Sequence, residues 1–113
     1  MGWKLLQFRG IVDEVLNSEP EDLESVETRL DLLEDRGNLC RRPISSHLYQ
    51  GIFELRGTGQ TRLLFFFRPN REIVFVHAVQ KKTRKVDRED IEIAIRYRTE
   101  IQEGKANVTA VAR

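Results

Sequence analysis

Cationic side chains crowd the segment HAVQKKTRKVDRED, residues 77–90, which directly follows the apolar run IVFV. Five Lys and Arg residues lie within positions 81–88, opposed there by Asp87 alone. Clustered cations attract anionic ligands. They can also support proton transfer, because a neighbouring cation disfavours the charged form of a lysine and lowers its pKa. The segment therefore predicts either a site for a polyanion or a solvated surface with uneven charge.

The remaining charge is also unevenly placed along the chain. The net charge is only +1, but residues 40–88 hold eleven Lys and Arg against three Asp and Glu, a net charge of +8. Residues 1–39 hold four against ten, a net charge of −6. An acidic first third joined to a basic remainder favours one surface that meets an anion.

The composition is that of one small globular domain. The chain has 113 residues, of which 40% are hydrophobic and 33% charged. No apolar run approaches the ~20 residues of a membrane-spanning helix, and the first ten residues are too polar for a signal peptide. Cys40 is the single cysteine, with no metal-ligand spacing around it. We predict a cytoplasmic protein without metal or other cofactor, with one domain at residues 1–105 and a flexible tail at 106–113.

Hydrophobic periodicity predicts the elements that position the cations. WKLLQF (3–8) is a candidate first strand, and apolar residues at helical spacing predict one helix near residues 11–16 and a second that stops near Gly37. Residues 47–56, 61–68 and 72–80 are predicted to be three strands of an antiparallel meander. A last helix begins near Asp87 and ends at Gly104. The order (β)ααβββα predicts an α+β domain with a three- or four-stranded antiparallel sheet and the helices on one face.

Side chains alternate along a strand, so each predicted strand presents two faces. Leu63, Phe65 and Phe67 share one face of the second strand, and Arg62 lies on the other. If helices cover only one face, Arg56 and Arg62 converge on the open face, with His77 or Lys81 beside them. The cluster at 81–88 would then complete a basic groove begun by two strand arginines.

The segments LYQGIFELR, RLLFFF, IVFVHAVQKKTRK and EIAIRYR occur in that order over roughly residues 44–102. This series resembles the RelE/ParE toxin superfamily, and most closely its HigB-like, phage-derived branch. Two positions depart from the branch pattern: Val86 replaces a proline and Val79 a phenylalanine. The resemblance implies the toxin of a type II toxin–antitoxin pair, neutralised by a helix-turn-helix (HigA-like) antitoxin. Most such toxins are ribosome-dependent mRNA endonucleases.

The resemblance also implies the site residues. The candidate catalytic residues are Lys81, Lys82, Lys85 and His77. The resemblance makes Arg56 and Arg62 candidate phosphate-binding residues. Arg84 of the cationic cluster, and Tyr97, whose ring could stack on a base, are further RNA-binding candidates that the residues themselves suggest. Metal-free RNA cleavage uses the 2′-hydroxyl as nucleophile; the protein must accept its proton, stabilise the phosphorane and protonate the leaving oxygen. Arginine suits the second task, and lysine or histidine the proton transfers.

Two other functions fit the same sequence. A ParE-like protein of this fold would poison DNA gyrase without cleaving RNA, and a non-catalytic module would only bind RNA or a protein partner. The KKT.K element and the two aligned strand arginines favour the endonuclease, since a gyrase poison does not need groups that cleave a phosphodiester.

Overall fold

The structure is a computed structural model that describes residues 2–80 and 85–113. Over these residues the chain forms three α-helices, a short 3₁₀ helix (Gly37–Leu39) and one six-stranded sheet. The helices are α1 (Ile11–Asn17), α2 (Leu23–Arg36) and α3 (Arg88–Gln102). The strands are β1 (Lys4–Phe8), β2 (Ser45–Tyr49), β3 (Ile52–Arg56), β4 (Thr61–Arg68), β5 (Glu72–Gln80) and β6 (Val108–Ala110). The predicted α+β class is confirmed.

The sheet differs from the predicted one in size and direction. Its strand order is β2-β3-β4-β5-β1-β6, and β1 pairs in parallel with β5 while the other neighbours are antiparallel. The predicted antiparallel sheet of three or four strands is therefore wrong, because the described residues form a mixed sheet of six. The strand β6 lies within residues 106–113, for which the sequence predicts a flexible tail; that flexibility stays a prediction.

A two-residue turn divides residues 47–56, which the sequence predicts to be one strand. Gln50 and Gly51 both have positive φ, 48° and 80°, as in a type I′ hairpin turn. The Gly51 N–H donates to His47 Nε2 at 3.1 Å, and Arg98 of α3 donates to the Gln50 carbonyl at 2.5 Å. Since such turns are usually marked by Asn-Gly or Asp-Gly, Gln-Gly gives a weak signal. The turn makes β2 an edge strand of the sheet.

Helices cover both faces of the sheet. The helices α1 and α2 pack on one face, where Val12 and Leu30 are fully buried. The helix α3 packs on the opposite face through Ala94 and Ile101. The prediction that the helices lie on one face and leave the other open is therefore wrong. An amphipathic pattern shows that a helix has an apolar side, but it does not say which sheet face that side meets.

The side-chain alternation of β4 is confirmed, whereas that of β5 is interrupted. In β4, Phe65 faces α1 and α2, and Phe66 is buried under α3. The ladder between β4 and β5 pairs Leu64 with His77 but Phe65 with Phe75, so β5 contains a β-bulge. The bulge turns His77 towards α3, on the same side as Leu64.

Candidate functional site

A cleft with a volume of about 910 Å³ lies between the β2–β3 edge of the sheet and the N-terminal end of α3. We name it the basic cleft, because five cationic residues line it: Arg29, Arg42, Arg56, Lys85 and Arg88. Among the described residues, one carboxylic acid, Glu54, also lines it. A concave surface with this excess of positive charge attracts and concentrates anions.

Two arginines from different elements form one side of the basic cleft. Arg56 is the last residue of β3, and about a third of its side chain is exposed. Arg29 reaches across from α2 and donates its Nη1 to the Arg56 carbonyl at 2.6 Å and to the Pro43 carbonyl at 3.4 Å. These bonds tie α2 to the end of β3, and both arginines line the basic cleft.

Glu54 is the buried acidic group of the basic cleft. It is 4% exposed, and its Oε1 accepts a hydrogen bond from Ser46 Oγ at 3.5 Å and lies 4.0 Å from Arg56 Nε. Its Oε2 is buried and has no hydrogen-bond partner among the described residues. Burial raises the pKa of the Glu54 carboxyl, and the charges of Arg56 and Arg62 oppose that rise without cancelling it.

Arg62 lies next to Arg56 but beneath the surface. The two residues are directly paired across β3 and β4. Arg62 is 3% exposed, and its Nη1 donates to the carbonyls of Gly59 (2.8 Å) and Thr61 (3.0 Å). Burial and the neighbouring Arg56 charge lower the pKa of Arg62. The structure therefore brings the two predicted arginines together, with Arg56 alone lining the cleft.

Asp22 fixes the loop that holds Arg62. Its carboxylate accepts hydrogen bonds from the N–H groups of Gly59 (3.0 Å) and Thr61 (3.1 Å) and from the Thr61 hydroxyl (2.7 Å). Burial alone would raise the pKa of Asp22, but these hydrogen bonds outweigh it and lower the pKa. The acidic residue just before α2 thus orders the loop between β3 and β4, whose carbonyls receive the Arg62 guanidinium.

His77 lies on the same face of the sheet as the cleft but does not line it. Glu54 pairs with Leu64 and Leu64 with His77, so β4 separates the two residues by two strand spacings, about 10 Å. The His77 Nε2 lies 2.9 Å from Asp90 Oδ1 of α3, and both side chains are largely buried. This contact joins β5 to α3 beside the cleft.

Tyr97 is packed in another part of the molecule. Its ring lies 4.6 Å from the Phe8 ring, and the Arg9 guanidinium lies 5.7 Å from the Tyr97 ring centroid. Phe8 belongs to β1, which is three strands away from β3 in the sheet. The structure therefore does not bring Tyr97 into the basic cleft with Arg56.

The remaining predicted residues divide into two groups. Lys81, Lys82 and Arg84 lie outside the described residues. Lys85 is exposed and lines the basic cleft, where Arg88 follows it on the first turn of α3. The predicted helix start at Asp87 is confirmed, since α3 begins at Arg88 with Asp87 as its N-cap residue.

Sequence reasoning missed three charged residues of the cleft: Arg29, Arg42 and Glu54. Arg29 belongs to a helix whose outer surface is acidic, so the sequence did not indicate an anion site there. No periodic signal marks Arg42. Glu54 had a usable signal, because strand alternation places it on the same face as Arg56, two residues away.

Residues 2–80 and 85–113 contain no group of three or more His, Cys, Asp or Glu placed to hold a metal ion. Over the same part of the chain, none of the helices is long and apolar enough to span a membrane.

These features define a small α+β protein with a basic cleft at the edge of its sheet. Residues 13–99 match the model of a family described as "Phage derived protein Gp49-like (DUF891)". The match covers most of the chain, so the protein belongs to this family, which is part of the RelE/HigB-like toxin–antitoxin superfamily. A search of curated proteins found no match to this chain.

Proposed function

We propose that the protein is the toxin of a type II toxin–antitoxin pair and that it inhibits translation by cleaving mRNA on the ribosome without a metal ion. The observation that carries the proposal is the basic cleft in a member of a toxin–antitoxin family. Five cationic side chains suit the phosphates of an RNA strand, because charge-assisted hydrogen bonds from guanidinium groups fit phosphate oxygens in pairs.

The cleft residues divide the work of cleavage. Arg56, with Arg29 beside it, binds the scissile phosphate and stabilises the charge that develops on its oxygens. Arg62 supports Arg56 from the neighbouring strand, as the direct pairing of the two residues suggests. The lysines at 81, 82 and 85 supply further positive charge and proton transfer, the role implied by the family resemblance.

The partner in this proposal is a helix-turn-helix antitoxin that binds the free toxin and blocks the cleft. An antitoxin needs acidic side chains to meet Arg42, Arg56 and Arg88, because burying these cations without partners would be costly. The proposed location is the cytoplasm, where ribosomes and mRNA are available.

The test expresses the chain without an antitoxin and then assays the purified protein. We expect growth arrest and inhibition of translation in a cell-free system. Primer extension should show stops that require both the ribosome and the protein, and these stops should persist when the protein has first been treated with EDTA to remove any bound metal ion. Lys81→Ala combined with Lys82→Ala should abolish cleavage, whereas Arg68→Ala should not, because Arg68 pairs with Glu72 (2.8 Å) at the opposite end of β4.

Two results would refute the proposal. Inhibition of gyrase supercoiling with intact mRNA would assign the protein to the ParE-like gyrase poisons. Harmless expression of a soluble, folded protein would show that it is not an active toxin.

A further inference from the structure

Two carboxylates of the described chain are buried beside arginines, and they differ in one respect. Asp22 accepts three hydrogen bonds from the loop between β3 and β4, which is the pattern of a structural carboxylate. Glu54 is more deeply buried, yet its Oε2 receives no hydrogen bond from any described residue. A buried, incompletely bonded carboxylate costs stability, so its presence in a cleft points to a function.

We propose that Glu54 is the general base of the cleft, a role that rests on the proposed mRNA cleavage. The Glu54 carboxylate takes the proton of the 2′-hydroxyl as the 2′-oxygen bonds to phosphorus. The bond between phosphorus and the 5′-oxygen then breaks, which leaves a 2′,3′-cyclic phosphate and a 5′-hydroxyl. The departing 5′-oxygen takes its proton from an ammonium group, for which Lys85 is the described candidate. Water then takes the proton from Glu54 and returns one to the amine, which restores both groups.

The surroundings of Glu54 suit a base that is stronger than an ordinary carboxylate. A carboxylate at its ordinary pKa of 4.5 is a weak base, and burial strengthens it by raising that pKa. The Arg56 and Arg62 charges oppose the rise and keep the ionised form accessible. Arg56 lies 4.0 Å from Glu54 Oε1, so a phosphate bound by Arg56 would bring its 2′-hydroxyl close to the carboxylate.

The position of Glu54 also gives it a fixed geometry. It lies inside β3, where the ladder to Leu64 of β4 and to Ser46 of β2 holds its backbone. The Ser46 hydroxyl orients Oε1 at 3.5 Å. A reacting group held by strands on both sides needs little reorganisation during the reaction.

The experiment measures single-turnover cleavage of ribosome-bound mRNA across mildly acidic to mildly basic pH. Glu54→Gln should reduce the maximal rate about 10²- to 10⁴-fold, leave ribosome binding unchanged and remove the acidic limb of the pH–rate profile. Glu54→Asp should keep that limb at a lower rate. Glu72→Gln is the matched control, because Glu72 is another strand glutamate beside an arginine but lies outside the basic cleft.

Each outcome decides the matter. A Glu54→Gln protein that cleaves at the wild-type rate, or that loses only ribosome binding and keeps the acidic limb, overturns the assignment and leaves the proposed function intact. If Glu54→Gln does not fold, a Glu54→Asp protein with a flat profile overturns it. If neither the wild type nor Glu72→Gln cleaves mRNA, the proposed function fails and the general base falls with it.

Discussion

Replacing Asp22 with alanine should destabilise the protein by about 3 kcal/mol. The three hydrogen bonds to its carboxylate are charge-assisted, and each such bond contributes about 1.5–3 kcal/mol. The sum is discounted because the bonds share one acceptor group and because the Gly59 N–H, nearer the surface, can find water in the variant. The Thr61 N–H is buried and would lose its partner, so most of the cost arises there.

Urea unfolding of the Asp22→Ala and wild-type proteins measures this difference. The control is Glu21→Ala, since Glu21 is an adjacent but exposed carboxylate and its removal should change the free energy of unfolding by no more than about 0.5 kcal/mol. Amide exchange gives a local readout, because the Thr61 N–H should exchange faster in Asp22→Ala while amides at the centre of β5 change only with global stability.

The effect should also depend on pH in a defined direction. The folded-state pKa of Asp22 is lowered below the ordinary value of 3.8, so its carboxylate stabilises the fold above that value. This contribution is lost as the pH falls through the lowered folded-state pKa, and the difference between wild type and Asp22→Ala should narrow there. An Asp22→Ala protein as stable as Glu21→Ala at neutral pH would refute the assigned role of the carboxylate.

Three further predictions concern the same region. Gly57→Ala should destabilise the fold, measured by thermal unfolding, because a Cβ at Gly57 would lie 2.1 Å from Asp22 Oδ2. Arg56→Ala should lower mRNA cleavage about 10- to 100-fold with the fold intact, and equal activity of Arg56→Ala and Arg68→Ala would contradict the phosphate-binding role. Glu54→Gln should be more stable than the wild type at neutral pH. The folded-state pKa of Glu54 is raised, so the stability that its carboxyl group contributes is full below 4.5 and is lost as the pH rises through the folded-state pKa. Denaturant unfolding of both proteins at neutral and acidic pH is the test, and equal stability of the two proteins at both pH values would contradict the prediction.

Local elements of the fold were predictable because their signals are local. The second helix ends where expected, since Gly37 adopts a positive φ of 54° directly after Arg36. The third helix starts at its predicted cap, Asp87. Strand alternation correctly separated Phe65 from Phe66. Each of these features depends on residues within one turn or one pleat of each other.

The errors concern relations between distant residues. The parallel pairing of β1 with β5 joins Leu6 to Val74, and no pattern in either strand encodes that choice of partner. The bulge that turns His77 towards α3 depends on a mismatch between β4 and β5, so neither strand reveals it alone. An uninterrupted strand would place His77 on the face of Phe75, whereas the bulge places it on the face of Leu64, which is also the face of Glu54 and Arg56.

The sequence of β4 did contain one signal that helices cover both faces of the sheet. The run from Leu63 to Phe67 is apolar at every position, which is typical of a strand buried on both faces and not of one with a solvated face. An open face beside β4 was therefore inconsistent with its composition. A strand that alternates apolar and charged residues, as β3 does in part, is where an opening should be sought.

The cleft lies where α3 stops covering β3. Ile52, Glu54 and Arg56 share the face that α3 packs against, and their exposure rises along the strand, from 0% for Ile52 to 4% for Glu54 and 34% for the Arg56 side chain. Ile52 lies under the helix, Arg56 lies in the cleft, and Glu54 lies at the boundary between them. A carboxylate at that boundary is removed from bulk water yet adjacent to the space that a phosphate would fill. The same residue order that ends the hydrophobic core therefore places the proposed base, Glu54, beside Arg56, the proposed phosphate ligand.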